Sequence, residues 1–484
     1  MLGALLVGLC FIAALPLLEG AEPSAVPPEA GSAPRLWCAP GAAEALAAFP
    51  ACFVPEEPET GISFVQPPFG ADVHSLRLRR SATVREAPRS GAAYVGNVAQ
   101  DMRVSWKRAA RGFDCPLWVE IEPVGWLCEK HLEPSRLPPR LLELPLLEED
   151  AVVPGVYGKV MSPKAKAYRN VRDAWHQTHA KRLKGSVVVR QRREIQIGRR
   201  LFWQTQAGQF IEAGKIRELE PSEFSGVDLT EPGAPTLPLG FVFPAEHNER
   251  PVPVMRSPGR CTSPVRWLGF REVVGVQGSS PDGSHQRIGE AEWVATNELR
   301  VARLAEPPAG TGRDERWVDI DLAQQVLVAY EGARPLFATL VSTGASHNPT
   351  PEGVFRIWVK MGETDMIGRM GRTPYRVEHV PWTSFFLQDF GLHAAYWHDR
   401  FGEPRSNGCV NLSPADAHAL YFWTRPEVPA GWSMVYSRPS APGTQIRVRR
   451  SVAECPTPGS EDERSEALAF LDAADDRGGE RCWP

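Results

Sequence analysis

The clearest alternation of apolar and polar positions falls late in the chain. Trp317-Val318-Asp319-Ile320-Asp321-Leu322, Val326-Leu327-Val328-Ala329-Tyr330 and Leu336-Phe337-Ala338-Thr339-Leu340-Val341 are three such runs. Successive side chains of a strand point to opposite faces, so this period predicts antiparallel strands. The pattern changes at Ser413. Ser413 suits an N-cap, Pro414 suits the first helical position and Asp416 falls in the first turn, which predicts a short helix through about Trp423. Asp416 and His418 are expected to be surface and capping residues of that helix.

Earlier in the chain one pattern recurs three times: an aromatic, an aliphatic, and another aliphatic five positions on. It reads Trp126-Leu127 with Leu132, Phe210-Ile211 with Ile216, and Trp293-Val294 with Leu299. Short alternating runs precede the first two, Trp118-Val119-Glu120-Ile121 and Leu201-Phe202-Trp203-Gln204. Short strands with turn signals at this spacing predict small β barrels, at about 78–135, 155–222 and 245–305. The fold class is therefore mostly β. For any single aromatic here, barrel core is a better reading than a binding platform.

The ends differ in composition. Leu2 to Leu18 is an apolar run followed by Glu19-Gly20-Ala21. It reads as a secretory signal over 1–20, although it lacks a basic start. An uncleaved membrane anchor is the alternative. Residues 21–77 read as a Pro/Ala-rich linker, and 451–484 as an acidic tail. No other stretch is long and apolar enough to span a bilayer.

With 484 residues, several domains are expected, and 43% hydrophobic residues can fill their cores. A net charge of −4 implies no strong global field. Locally, Lys159 to Arg200 holds thirteen Lys and Arg against only Asp173 and Glu194. That is either an anion-binding face for polymer carboxylates or a solvated β surface, and the second is the better reading. No helical or aromatic recognition motif accompanies the charge, so nucleic acid is not an expected partner. Nine cysteines are present. With Cys10 in the leader and Cys409 set aside, Cys38 with Cys52, Cys115 with Cys128 and Cys455 with Cys482 are candidate local disulfide pairs in an exported chain, leaving Cys261 over; spacing does not fix the connectivity. No Cys/His cluster has zinc spacing, so neither metal nor cofactor is expected.

The candidate chemistry lies at 406–412, Ser-Asn-Gly-Cys-Val-Asn-Leu, with His393 thirteen positions before Ser406. Cys409 follows a glycine in a loop that opens onto the predicted helix. A thiol there has backbone N–H groups around it and a histidine available as base, as acyl transfer needs. An isolated cysteine is more often an inert small hydrophobe, so the combination carries the argument.

Residues 392–412, LHAAYWHDRFGEPRSNGCVNL, together with Ser342-Thr343-Gly344 and Thr350-Pro351-Glu352-Gly353, resemble the catalytic domain of L,D-transpeptidases (the YkuD-type fold) over about 312–440. That family carries a histidine, a gap, then Ser/Thr-His-Gly-Cys-hydrophobic-Asn/Arg. The resemblance implies Cys409 as nucleophile and His393 as general base, with Ser406 and Gly408 in the nucleophile loop. The N–H groups of Gly408, Cys409 and Val410 are the implied oxyanion donors. His398 is a second candidate base. With Tyr396, Trp397 and Asn411, it is expected to contact substrate. An imidazolium beside the thiol is expected to pull the thiol pKa to ~7 or lower. One departure stands out: Asn407 replaces the family histidine before the glycine. An amide donates and accepts hydrogen bonds but does not titrate.

The first repeated unit, with Val84-Arg85-Glu86-Ala87-Pro88, Val95-Gly96 and Gly125-Trp126, resembles a bacterial SH3-like domain, and the other two resemble it more weakly. Such modules commonly bind peptidoglycan. Together the resemblances imply an acyltransferase exported to the periplasm or cell envelope and acting on peptidoglycan stem peptides. Its acceptor would be another stem, a lysine of an envelope protein, or water. The alternative is a non-catalytic peptidoglycan-binding scaffold with a degenerate catalytic domain, a reading that Asn407 favours. The catalytic segment is expected to stand alone when cut before about residue 310.

Overall fold

The computed structural model describes residues 62–451 apart from 113, 246–248, 260–262 and 371, together with the strands Trp37–Cys38 and Cys52–Phe53. The expected leader, most of the linker and the acidic tail lie outside these residues. So do Cys261 and the expected Cys455–Cys482 bridge, and the side chains of Cys38 and Cys52. Cys115 and Cys128 are joined as a disulfide. No helix among the described residues is long and apolar enough to cross a membrane.

The threefold repeat has a concrete structural meaning. Each occurrence is a strand, one 3₁₀ turn, and another strand. These are Trp126–Cys128, Glu129–His131 and Leu132–Ser135; Phe210–Glu212, Ala213–Lys215 and Ile216–Glu218; and Glu292–Ala295, Thr296–Glu298 and Leu299–Ala302. A three-residue 3₁₀ turn sets the five-residue spacing between the two aliphatic core positions.

The C-terminal part packs two sheets face to face. One sheet has the order Val227–Asp228, Arg334–Leu340, Val326–Glu331, Arg316–Asp321, Gln445–Arg449, Gly353–Arg356. Its first three neighbour pairs are antiparallel. Arg316–Asp321 and Gln445–Arg449 run parallel. Asp319 is buried and ties that parallel pair together through Arg447 (2.6 Å) and Arg449 (2.7 Å). The second layer carries the long hairpin Val359–Met370 and Thr373–Leu387, then Phe390–Ala394 and Val410–Leu412. Val318, Ile320, Leu327, Trp382, Leu392, Val410 and Ile446 fill the space between the layers. The helix Pro414–Trp423 closes this core with Ala417, Leu420 and Tyr421. Lys360 is buried beneath its far end and donates to the Thr424 (2.8 Å) and Pro426 (3.0 Å) carbonyls. A cation suits that end of a helix, yet burial pushes the Lys360 pKa down to about 7.

Asp416 is not a surface residue. It is 1% exposed and accepts from the Gly226 N–H (2.9 Å), the Ser225 hydroxyl (3.2 Å) and the Thr339 hydroxyl. A position near the helix start inside a packed core needs its own partners, and Asp416 finds them at Ser225 and Gly226, just before the strand Val227–Asp228, and at Thr339 within the six-stranded sheet. Burial raises its pKa.

The repeated units are built into the catalytic sheets. Trp432–Tyr436 pairs with Val359–Met361 on one edge and with Tyr94–Val98 of the first unit on the other. Gly96 permits this approach, since a Cβ there would stand 2.4 Å from the Met434 carbonyl oxygen. Ser186–Val188 of the second unit pairs in parallel with Tyr375–Val377. The strand Leu239–Val242, which precedes the expected third unit and pairs with its strand Leu299–Ala302, covers the outer face of the six-stranded sheet: Leu239, Phe241 and Phe243 pack with Trp317, Val328, Tyr330 and Phe401.

The chain cut before residue 310 is therefore expected to lose the cover of Trp317 and Tyr330. A fragment from residue 312 onward should bind a hydrophobic dye strongly and lack the full chain's cooperative melt; an intact cooperative melt in that fragment would contradict the packing. Asp416→Ala should cost roughly 2–4 kcal/mol in denaturant unfolding, because the buried Thr339 hydroxyl and the Gly226 N–H and Ser225 hydroxyl lose their acceptor; an unchanged midpoint would show that Asp416 does not hold the junction.

Candidate active site

Two adjacent parallel strands position the chemistry. Leu392 lies opposite Val410, His393 opposite Asn411 and Ala394 opposite Leu412. Leu392, Ala394, Val410 and Leu412 all face the inter-sheet core. Side chains alternate along a strand, so His393 and Asn411 face the other way. Cys409 lies in the bend immediately before the strand Val410–Leu412, and so leads into the strand paired with the one that carries His393.

The turn before Cys409 is held by its own backbone and by the facing loop. The Ser406 hydroxyl accepts from the Gly408 N–H (3.1 Å) and donates to the Cys409 carbonyl. Thr350 donates its hydroxyl to the Gly408 carbonyl (2.7 Å), and Asn348 donates to the Asn407 carbonyl (2.8 Å). The backbone N–H groups of Arg405 and Ser406 both donate to the Thr343 carbonyl (2.9 Å each). The buried Gln325 fixes Thr343 in turn, at its N–H (2.9 Å) and its hydroxyl (2.7 Å). Gly408 has φ +108°, and a Cβ there would meet the Phe390 ring at 2.5 Å, so only glycine fits. Cys409 is half-buried, is not in a disulfide, and its Sγ lies 3.3 Å from the Asp389 carbonyl.

The two histidines differ. His393 is buried, and its Nδ1 is 3.0 Å from the Ala394 carbonyl. A carbonyl only accepts, so Nδ1 carries the proton and the Nε2 lone pair remains. Burial pulls the His393 pKa down to about 4. His398 has both ring nitrogens engaged: Nδ1 accepts from the Arg400 N–H (3.2 Å), and Nε2 lies 2.9 Å from the Asn411 amide. Burial first, then Arg405, lowers its pKa to about 4 as well. Both rings are neutral at pH 7, so the expected resting imidazolium beside the thiol is corrected to a neutral imidazole.

Other expectations change too. The Gly408 N–H is engaged by Ser406 and is not aimed at an oxyanion. The Asn407 side chain is half-exposed and makes no hydrogen bond among the described residues, because Asn348 and Thr350 hold the loop instead. Tyr396 is fully buried, stacks on Tyr157 at 3.8 Å and donates to the Glu378 carbonyl, so it packs the wall behind the site and has no face toward substrate. Asn411 is buried against His398. Trp397 is half-buried with its ring 5.8 Å from His393 and 6.2 Å from His398, and it keeps open surface beside them.

The loop carrying His398 is clamped from outside the catalytic segment. Arg271 pairs with the Asp399 carboxylate (2.8 Å) and donates to its carbonyl (2.9 Å). Ser222 donates to the same carboxylate, and Arg300 donates to the Gly402 carbonyl (2.9 Å). Phe401 packs against Phe224 and Phe241. These positions carry no local motif and lie more than a hundred residues from their partners, so periodicity alone does not reveal them.

The family model of the L,D-transpeptidase catalytic domain, YkuD, matches residues 315–448. That range includes the strand Gln445–Arg449 nearly whole, beyond the expected boundary at 440. No curated protein sequence matches the chain. Among solved structures, an Enterococcus faecium L,D-transpeptidase mutant is 23% identical over 28% of this chain and 50% of its own, with a TM-score of 0.23. The E. faecium catalytic domain acylated by ertapenem is 23% identical over 28% of this chain and 99% of its own, with a TM-score of 0.23. An L,D-transpeptidase from Mycobacterium smegmatis is 21% identical over 35% of this chain and 80% of its own, with a TM-score of 0.22. The first of these is matched over only half its length. By the family match, residues 315–448 of this mostly β chain are a YkuD L,D-transpeptidase catalytic domain.

Proposed function

We propose that this chain is an exported L,D-transpeptidase that acts on peptidoglycan stem peptides through an acyl-enzyme on Cys409. The observation that carries the reading is that Cys409 leads directly into the strand Val410–Leu412, which pairs with the strand holding His393, whose Nδ1 is fixed by the Ala394 carbonyl. His393 Nε2 takes the thiol proton as Sγ attacks the carbonyl of the stem's diamino acid residue. The amide C–N bond to the terminal D-amino acid breaks, and His393 returns the proton to the leaving amine. An acceptor amine then attacks the thioester, His393 takes its proton, and the thiol reforms with a proton from His393. The acceptor is a second stem peptide or a lysine of an envelope protein. Ser406, Gly408 and Asn348 position the nucleophile turn, while Asn411 and the Arg271 clamp position His398. Trp397 borders the substrate. The scaffold alternative rested on Asn407, and it is weakened because the turn is held without that side chain.

Incubating the chain with ertapenem should add one drug mass, and Cys409→Ala should abolish both the adduct and stem-peptide turnover. An adduct retained by Cys409→Ala would move the nucleophile elsewhere.

The buried neutral His393 also fixes a pH dependence. A base with its pKa lowered to about 4 stays unprotonated through the range where an ordinary histidine protonates. The acid limb of kcat/KM should therefore lie below about pH 5, well under the ordinary ~6.5. His393→Ala should cost ~10²–10⁴-fold, and His398→Ala less. A limb near 6.5, or a dead His398 variant with an active His393 variant, would reverse the assignment.

Asn407→His should change the rate by less than about tenfold, ~1.4 kcal/mol in barrier, since that side chain holds nothing. A larger gain would mean the natural residue impairs catalysis and would restore the scaffold reading.

A further inference from the structure

Residues 155–222 carry fifteen Lys and Arg against five Asp and Glu, a formal +10 in a chain whose net charge is −4. Transpeptidation at Cys409 uses none of this charge. One side of the unit is occupied, because Ser186–Val188 pairs with the catalytic hairpin and Tyr157 stacks on Tyr396. The excess sits elsewhere. Lys166, Arg169, Arg172, Lys181, Arg182 and Arg199 are all exposed, and none forms an ion pair among the described residues. Lys166 stands directly opposite Arg182 across an antiparallel pair, a placement that repels. Two acids stand on this face: Asp173, which is turned to Asn170, Thr178 and His179, and Glu212, beside Tyr168 and Arg200.

Apolar side chains stand among these cations. On the helix Val171–His176, Val171 (45% exposed) and Trp175 (57% exposed) are four residues apart and share a side. Trp175 leans on the hairpin turn at Gly198, where a Cβ would stand 3.2 Å from its ring, and the Arg200 guanidinium reaches its carbonyl at 3.5 Å. Leu201, 40% exposed, alternates with Phe202 and so lies on the other side of the strand Arg200–Thr205 from this helix, because Phe202 packs with Ala174.

We propose that this face is an interfacial binding site for an anionic lipid surface. Phosphate headgroups take the lysines and arginines, while Val171 and Trp175 enter the headgroup layer. A soluble polyanion would satisfy the charges and leave the apolar pair in water; a bilayer satisfies both. The inference does not depend on the transpeptidase reading, since it concerns a different unit.

The test is co-sedimentation with vesicles, using the chain from Ala21 onward, which keeps every described residue and removes the apolar leader. Phosphatidylglycerol–phosphatidylcholine vesicles should bind it, and phosphatidylcholine alone should not. Lys166→Glu with Arg169→Glu should weaken binding by about tenfold or more. Lys166→Glu places an acid opposite Arg182, so the fold is not put at risk, and a melt checks it. Trp175→Ala should weaken binding by about fivefold. Equal binding to both vesicle types would overturn the proposal. So would loss in the charge variant with no loss in Trp175→Ala, which would leave only a polyanion site, best seen as binding to polyphosphate.

Discussion

Everything at the site depends on the parallel pairing of Phe390–Ala394 with Val410–Leu412. Its register is enforced by burial. Leu392, Ala394, Val410 and Leu412 must all face the inter-sheet core, and a one-residue slip in either strand would turn them to the other side. The same constraint sends His393 and Asn411 together to the opposite face, with Cys409 immediately before that strand. The placement of the candidate residues is therefore a by-product of core packing, and the surrounding polar network only refines it.

That network is unusually distributed. The inner part is local: Ser406, Asn348 and Thr350 on the nucleophile turn, with Gln325 behind Thr343. The outer part comes from the repeated units, through Arg271 and Arg300 on the His398 loop and Tyr157 behind Tyr396. Buried hydrogen bonds of this kind contribute about 0.5–1.5 kcal/mol each when made and cost more when one partner is left alone. The accessory units are thus better described as walls of the catalytic domain than as beads on a string. Shared sheets at Tyr94–Val98 and shared core at Phe241 argue the same way.

How much of this was legible in the sequence varied by the range of the interaction. The three alternating runs at 317–341 and the Ser413-Pro414 helix start were readable because strand period and capping are local rules. The threefold aromatic–aliphatic spacing was readable as a repeat, and the 3₁₀ turn inside it explains the spacing. Cys409 and His393 were readable as a pair. Their protonation was not, since the neutral state of His393 follows from its burial, which outweighs the Ala394 carbonyl that favours the charged ring. Asp416 was misjudged as a surface cap, and Tyr396 as a substrate contact, for one reason. Both are buried by chain segments more than 150 residues away, at Gly226 and Tyr157, which no local pattern announces.

The central claim is that His393, on the strand paired with Val410–Leu412, is neutral, protonated at Nδ1 and open at Nε2. Nitrogen-15 NMR of the imidazole across a pH titration reads this directly. The account predicts an Nδ1–H tautomer that persists from neutral pH down to about pH 5, with protonation only near 4. An Nε2–H tautomer, or an imidazolium already present near pH 6.5, would contradict it.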